Sequence, residues 1–254
     1  MIKAVVLSLE GSARRGVFKK NNHCVDYNFF NAVLYEDIHP SEIEIRHTLS
    51  QTEVSCAYSH SQIYRDFIAS EEKTALILED DVTVNPDLYM MNIQTLASFI
   101  ESQSQPTVLF LGGMRDIRSH RIYFVGRKTQ LEGIALLKNF HSERFLHRTC
   151  CYLLNREAAG VLIKTNSPIR HVADDWSELN AQIPINYYLV KHDIFSHPPD
   201  QESSQIHHSR MAQTGLSRVL AVIVRLIKSN FLRSQLLLQY FMEWIKALRL
   251  KVGS

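Results

Sequence analysis

Residues 75–82 read Ala-Leu-Ile-Leu-Glu-Asp-Asp-Val. Four apolar residues in a row read as a buried strand, and the abrupt change to Glu79-Asp80-Asp81 marks the point where it leaves the core. Three adjacent carboxylates raise one another's pKa and resist desolvation, so something must neutralise them. Along an extended chain side chains alternate, which sends Glu79 and Asp81 to one side and Asp80 to the other. Two oxygen donors on one side, at the sheet edge where open α/β sheets bind ligands, form a seat for Mg²⁺ or Mn²⁺ that also holds a diphosphate. The competing reading of an acidic triplet is a solvated turn or helix cap.

Outward from this stretch, strands and helices alternate. Upstream, residues 4–9 (AVVLSL) predict a strand, followed by a turn at Gly11-Ser12, a short helix over 14–20 and a loop-rich stretch through Pro40. Residues 50–69 have helical spacing, with Val54, Tyr58, Ile63 and Phe67 inward and Ser50 or Thr52 as cap. Downstream, Asn85-Pro86-Asp87 opens a helix over 88–100, and residues 108–111 form a strand ended by Gly112-Gly113. A further strand at 150–154 precedes an amphipathic helix over 156–164. This alternation predicts an α/β fold, a mainly parallel sheet flanked by helices.

With 254 residues, 45% hydrophobic and 21% charged, the composition is neither collagen-like nor disordered. The four cysteines, Cys24, Cys56, Cys150 and Cys151, lack the spacing of a zinc site or disulfide framework, as expected in a reducing compartment. The first apolar run is too short for a secretory signal, and no stretch has the roughly 18 apolar residues of a membrane span.

Charge is unevenly spread. Residues 215–254 carry seven cations and one anion, while residues 1–214 carry 21 cations and 25 anions, an acidic body with a basic tail. In the tail Leu216, Leu220, Ile223 and Ile227, and then Phe231, Leu237, Phe241, Trp244, Ile245 and Leu248, recur at helical spacing. Two domains are expected: 1–214 for the chemistry and 215–254 as a basic amphipathic helical tail. The tail either lies on the acidic headgroups of a membrane or packs on the body or on a second subunit in a homodimer. Its cations are interleaved with long aliphatics rather than stacking aromatics, which argues against nucleic acid.

Two families with acidic pairs after strands fit poorly. Receiver domains place the pair after the first strand and need a later phosphoacceptor Asp, whereas the 108–111 strand ends in Gly112. Haloacid-dehalogenase-type phosphatases need D-x-D-x-T, and Glu79 stands where the nucleophilic Asp belongs.

The sequence resembles the bacterial family 25 glycosyltransferases of lipopolysaccharide and lipooligosaccharide synthesis. The likeness is carried by VVLSLEGSARR (5–15), FFNAV (29–33), CAYSHSQIY (56–64), ALILEDDV (75–82), VLFLGG (108–113), CYLLNREAAGVLI (151–163), PIRHVADDW (168–176) and SSQIHHSR (203–210). These pieces run in order through residues 1–214, with ALILEDDV and the C-x-x-S-H element the most specific. Ser55 departs from the family's Gly before Cys56, and residues 114–148 fall outside the likeness.

The resemblance implies a GT-A-like nucleotide-diphosphosugar transferase fold, Mn²⁺ or Mg²⁺ as cofactor, and transfer of a hexose, galactose or glucose, with inversion. The donor would be a UDP-sugar and the acceptor a lipid-linked oligosaccharide, at the cytoplasmic face of the inner membrane.

Such a transfer needs a base for the acceptor hydroxyl and positive charge on the departing phosphates. Asp81 and Glu79 are the expected metal ligands, with Asp80 contributing or reaching the ribose. His197 is a candidate third ligand, with His207 and His208 as rivals. Asp174 or Asp175 is the candidate base or else a helix N-cap, and Trp176 is expected to stack on a sugar face. Ser8 and Leu9 belong to the family's first-strand pattern. Arg14 and Arg15 either reach the diphosphate or form an exposed basic turn. His60 is either a nucleotide-pocket donor or a satisfied core histidine, and Cys56 reads as structural. A non-catalytic glycan- or nucleotide-sugar-binding subunit of the same fold is the main alternative, and a phosphotransfer enzyme a weaker one.

Overall fold

The computed structural model describes residues 2–44, 48–114, 126–139, 143 and 146–197. The expected tail helices at 215–254, together with His207 and His208, lie outside these residues.

The described chain forms β1 (Ile2–Ser8), α1 (Arg14–Asn21), β2 (Asn28–Asn31), α2 (Gln51–Ala69), β3 (Thr74–Glu79), β4 (Thr83–Val84), α3 (Pro86–Glu101) and β5 (Thr107–Phe110). It continues with β6 (Gly126–Leu131), β7 (Ile134–Asn139), β8 (Cys151–Asn155), α4 (Arg156–Thr165), α5 (Trp176–Leu179), β9 (Asn186–Val190) and β10 (Phe195–Ser196). Eight strands make one sheet in the order β2-β1-β3-β8-β5-β9-β7-β6, and β10 and β4 form a separate pair. Six strands of the sheet point one way, and β8 and β7 run against them. The expected α/β class is therefore observed, as a mixed sheet whose strands mostly share one direction.

The central strands read as unbroken apolar runs because both faces of the sheet are covered. Val5, Leu7, Ala75, Ile77, Val108 and Phe110 face a core completed by Ile63 and Phe67 of α2 and Ala158 and Leu162 of α4. Their neighbours Ala4, Val6, Leu76, Leu78, Leu109 and Leu111 face a second core closed by Phe18 of α1 and Ile93, Leu96 and Ile100 of α3. Among the described residues no helix is long and apolar enough to cross a membrane.

Helix starts follow local chemistry. Ser50 and Glu53 form a reciprocal capping box on α2, while Asn85 and Asn155 cap α3 and α4 through Leu88 N–H and Ala158 N–H. The β6–β7 hairpin turns on Glu132 (φ 47°) and Gly133 (φ 85°), the pair of left-handed residues that a tight two-residue hairpin requires. Sequence reasoning assigned no strand there, because exposed Arg127–Gln130 lacks an alternating apolar face.

The reversed direction of β8 matters for the site. Leu78 pairs with Cys151, so the segment entering β8 lies at the edge where β3 ends.

Candidate active site

The acidic cluster sits where β1, β3 and β5 end and the chain enters β8. Asn22, fully buried, fixes the turn after it: its amide donates to Val82 C=O (3.0 Å) and its carbonyl accepts from Val84 N–H (2.7 Å). β4 then pairs antiparallel with β10, Ser196 opposite Thr83, which carries His197 back toward Asp81. Gly112 and Gly113 allow this approach. A Cβ on Gly112 would stand 1.8 Å from Phe195 O, and Gly113 has φ +73° with Cys150 Sγ 2.2 Å from where its Cβ would be.

Glu79, Asp81 and His197 each offer a ligand atom, and these atoms lie within 4.8 Å of one another. His197 Nε2 is 3.3 Å from Asp81 Oδ2, while the buried Asp81 Oδ1 has no hydrogen-bond partner. Two carboxylates, an imidazole and one buried, unsatisfied oxygen fit Mn²⁺ or Mg²⁺, which take such donors.

The electrostatics fit as well. Burial, then the neighbouring Asp81 charge, raise the Glu79 carboxyl to about 7, against the opposing hydrogen bond from Thr149 Oγ1 at 2.6 Å. Burial also pushes Asp81 upward, but the hydrogen bond and charge of His197 and the charge of Arg14 outweigh it and leave Asp81 below the ordinary carboxylate value.

Asp80 is held from the β1 side. Ser8 Oγ donates to its Oδ2 (2.6 Å), and Arg14 Nη1 lies 3.3 Å from its Oδ1 and 3.8 Å from Asp81 Oδ2. Leu9 is half-buried, with its carbonyl accepting from Ser12 N–H (3.2 Å) in the turn after β1. Arg15 bridges two strands. Its guanidinium lies 4.7 Å from the centre of the Phe29 ring and donates to Ser8 O (2.9 Å) and Asn31 Oδ1 (2.6 Å), tying β1 to β2.

The Asp174-Asp175 pair is split. Asp175 Oδ1 accepts from Glu178 N–H (3.3 Å) and caps α5. Asp174 Oδ2 accepts from Arg148 N–H (3.0 Å), and its charge is close enough to contribute to the raised Glu79 pKa. The expectation for Trp176 is overturned. The indole is 0% exposed, packed edge-on against Phe110, Tyr152 and Tyr187, with Nε1 donating to Arg148 O (3.1 Å), so it offers no face to a sugar.

His60 is not a nucleotide-pocket donor either. It is 1% exposed beneath the acidic cluster, and burial lowers its pKa to about 4, so the ring is neutral.

Thr149 and Arg148 were missed by sequence reasoning. Arg148 stands in the left-handed region (φ 69°), donates from Nη1 to Gly113 O (2.7 Å), and joins Asp174 to the β5 turn. Nothing local marks either residue, since Thr149 meets Glu79 across 70 positions of sequence.

The family models bear out the sequence likeness. A family model described as "Glycosyltransferase family 25 (LPS biosynthesis protein)" matches residues 1–177. No curated protein matches by sequence. Among solved structures, a glycosyltransferase involved in glycosylation of the major capsid of PBCV-1 aligns at 14% identity over 81% of this chain and 99% of that one, TM-score 0.37. An apo UDP-glucose pyrophosphorylase aligns at 9% identity over 78% of this chain and 74% of its own, TM-score 0.34.

Proposed function

The chain belongs to glycosyltransferase family 25, and on that premise we propose that it moves a hexose, galactose or glucose, from a UDP-sugar to a lipid-linked oligosaccharide with inversion. The observation that carries the reading is the convergence of Glu79, Asp81 and His197, with an unsatisfied Asp81 oxygen and with Asp174 nearby. In a chain of a transferase family that carries Glu79, Asp81 and Asp174, the non-catalytic alternative has no specific observation in its favour.

The residues then have distinct tasks. Glu79, Asp81 and His197 would hold the cation. When bound, Mn²⁺ or Mg²⁺ supplies positive charge to the diphosphate leaving group. Arg14, partly exposed beside Asp80 and Asp81, adds a second cation at the same edge. Asp80, braced by Ser8 and Arg14 and outside the Glu79–Asp81–His197 group, suits the donor's ribose.

Asp174 acts as base. The acceptor oxygen bonds to the anomeric carbon as the bond from that carbon to the UDP oxygen breaks, and the hydroxyl proton passes to the Asp174 carboxylate. Asp175 holds the helix start that fixes this loop. Residues 215–254 dock the enzyme on the cytoplasmic face of the inner membrane, near its lipid-linked acceptor, by apolar burial and attraction to acidic headgroups.

Purified protein incubated with a panel of UDP-sugars, an oligosaccharide acceptor and Mn²⁺ tests the proposal. UDP release with a product of inverted anomeric configuration supports it. Retention of configuration overturns the role of Asp174, and UDP-sugar binding without turnover returns the binding-subunit alternative.

A further inference from the structure

The reading of Glu79 as a cation-holding carboxylate leaves a question about the buried imidazole behind it. His60 Nδ1 lies 2.9 Å from Tyr152 Oη, which lies 2.7 Å from Tyr64 Oη. The other ring nitrogen, Nε2, is buried without a hydrogen-bond partner and lies 3.9 Å from Glu79 Oε1. A histidine kept only for packing would not leave a ring nitrogen unsatisfied beside a carboxylate, because buried polar atoms are almost always paired.

The hydroxyl chain has two possible directions. If Nδ1 carries the proton and donates to Tyr152, the bare Nε2 lone pair faces the Glu79 oxygen, acceptor against acceptor. If instead Tyr64 donates to Tyr152 and Tyr152 donates to Nδ1, the proton sits on Nε2 and points at Glu79. The ionised carboxylate, the form that holds a cation, selects the second direction. At 3.9 Å the pair is not yet bonded, and a movement of the carboxylate by about one ångström brings it into range.

We propose that His60 is a positioning residue: its Nε2–H, with the tautomer set by Tyr152 and Tyr64, orients Glu79 for capture of the divalent cation. Thr149 already donates to the same oxygen, Oε1, from the β8 side. Two donors on Oε1 hold the carboxylate plane and leave its second oxygen for the ion. Hydrogen-bonded partners of this kind are typically worth 10- to 100-fold in metal affinity. The inference rests on the metal reading given above.

Two measurements test it on the full chain. Long-range ¹H–¹⁵N correlation of the metal-free protein at about pH 9, where Glu79 is ionised, is expected to show His60 as the Nε2–H tautomer, and Tyr152→Phe to mix the tautomers. Calorimetry with MnCl₂ is expected to show about tenfold weaker binding in His60→Phe and recovery of most of that loss in His60→Gln, whose amide N–H can still donate. Tyr152→Phe gives a milder second variant should His60→Phe not fold. An Nδ1–H tautomer in the wild type overturns the proposal, as does a folded His60→Phe that binds Mn²⁺ like the wild type. Wild-type protein that takes up no Mn²⁺ overturns the metal reading beneath it, a distinct result from an unaffected variant.

Discussion

Proton competition at Glu79 is the sharpest consequence of the site. In the metal-free protein burial and the adjacent Asp81 hold its carboxyl at about 7, so half the molecules carry a proton there at neutral pH. A cation must displace that proton. The apparent affinity then scales as one over one plus ten to the power of pKa minus pH. That is a reduction of about 1.1-fold at pH 8, about twofold at pH 7 and about elevenfold at pH 6. Mn²⁺ should therefore bind about tenfold, or about 1.4 kcal/mol, more weakly at pH 6 than at pH 8. Calorimetry in two buffers of different ionisation heat measures both the affinity and the protons released, about half a proton at pH 7. Glu79→Gln should weaken binding and flatten the slope. Equal affinity at pH 6 and pH 8, or an unchanged slope in Glu79→Gln, refutes the reasoning.

The same shift has a stability sign. The folded state binds this proton more tightly than the unfolded chain, whose carboxyl has its ordinary value of 4.5. The metal-free protein should therefore lose stability as pH rises from that value through about 7, a fall in melting temperature that excess MnCl₂ reverses. Asp174→Asn should lower kcat by about 10²-fold or more with donor KM nearly unchanged, whereas Asp175→Asn should cost about 1 kcal/mol or less of stability and leave most of kcat; steady-state kinetics beside a denaturant melt separates the two. Gly112→Ala forces a Cβ to within 1.8 Å of Phe195 O. The 194–197 segment must then shift, and weaker Mn²⁺ binding is expected even in protein that remains folded. Unchanged binding would mean that His197 is not held through this contact.

Much of the fold was legible because its causes are local. The apolar runs of β1, β3, β5 and β8, the Ser50 cap of α2 and the Asn-Pro start of α3 each carry their signal within a few residues. The likeness that led to the family lies in the same short pieces. What stayed hidden depends on pairing across the chain. Polar, two-sided β6 has no apolar period, and the direction of β8 follows from which neighbours it pairs with rather than from its own residues.

The division is clearest at the site. The sequence alone marked Glu79, Asp80 and Asp81 as the point where an apolar strand leaves the core, but β3 ends at Glu79 and Asp80 and Asp81 lie in the turn after it, so strand alternation does not set their directions. Whether adjacent Asp174 and Asp175 share a role, whether Trp176 meets solvent, and which residue braces Glu79 were beyond any reading of neighbours. Tertiary structure decided these points: it buried the indole among Phe110, Tyr152 and Tyr187, left Asp175 on its helix cap, and brought Thr149 and His197 to the end of β3. Burial and long-range contact are properties of the packed chain, and the charge states of these carboxylates depend on both.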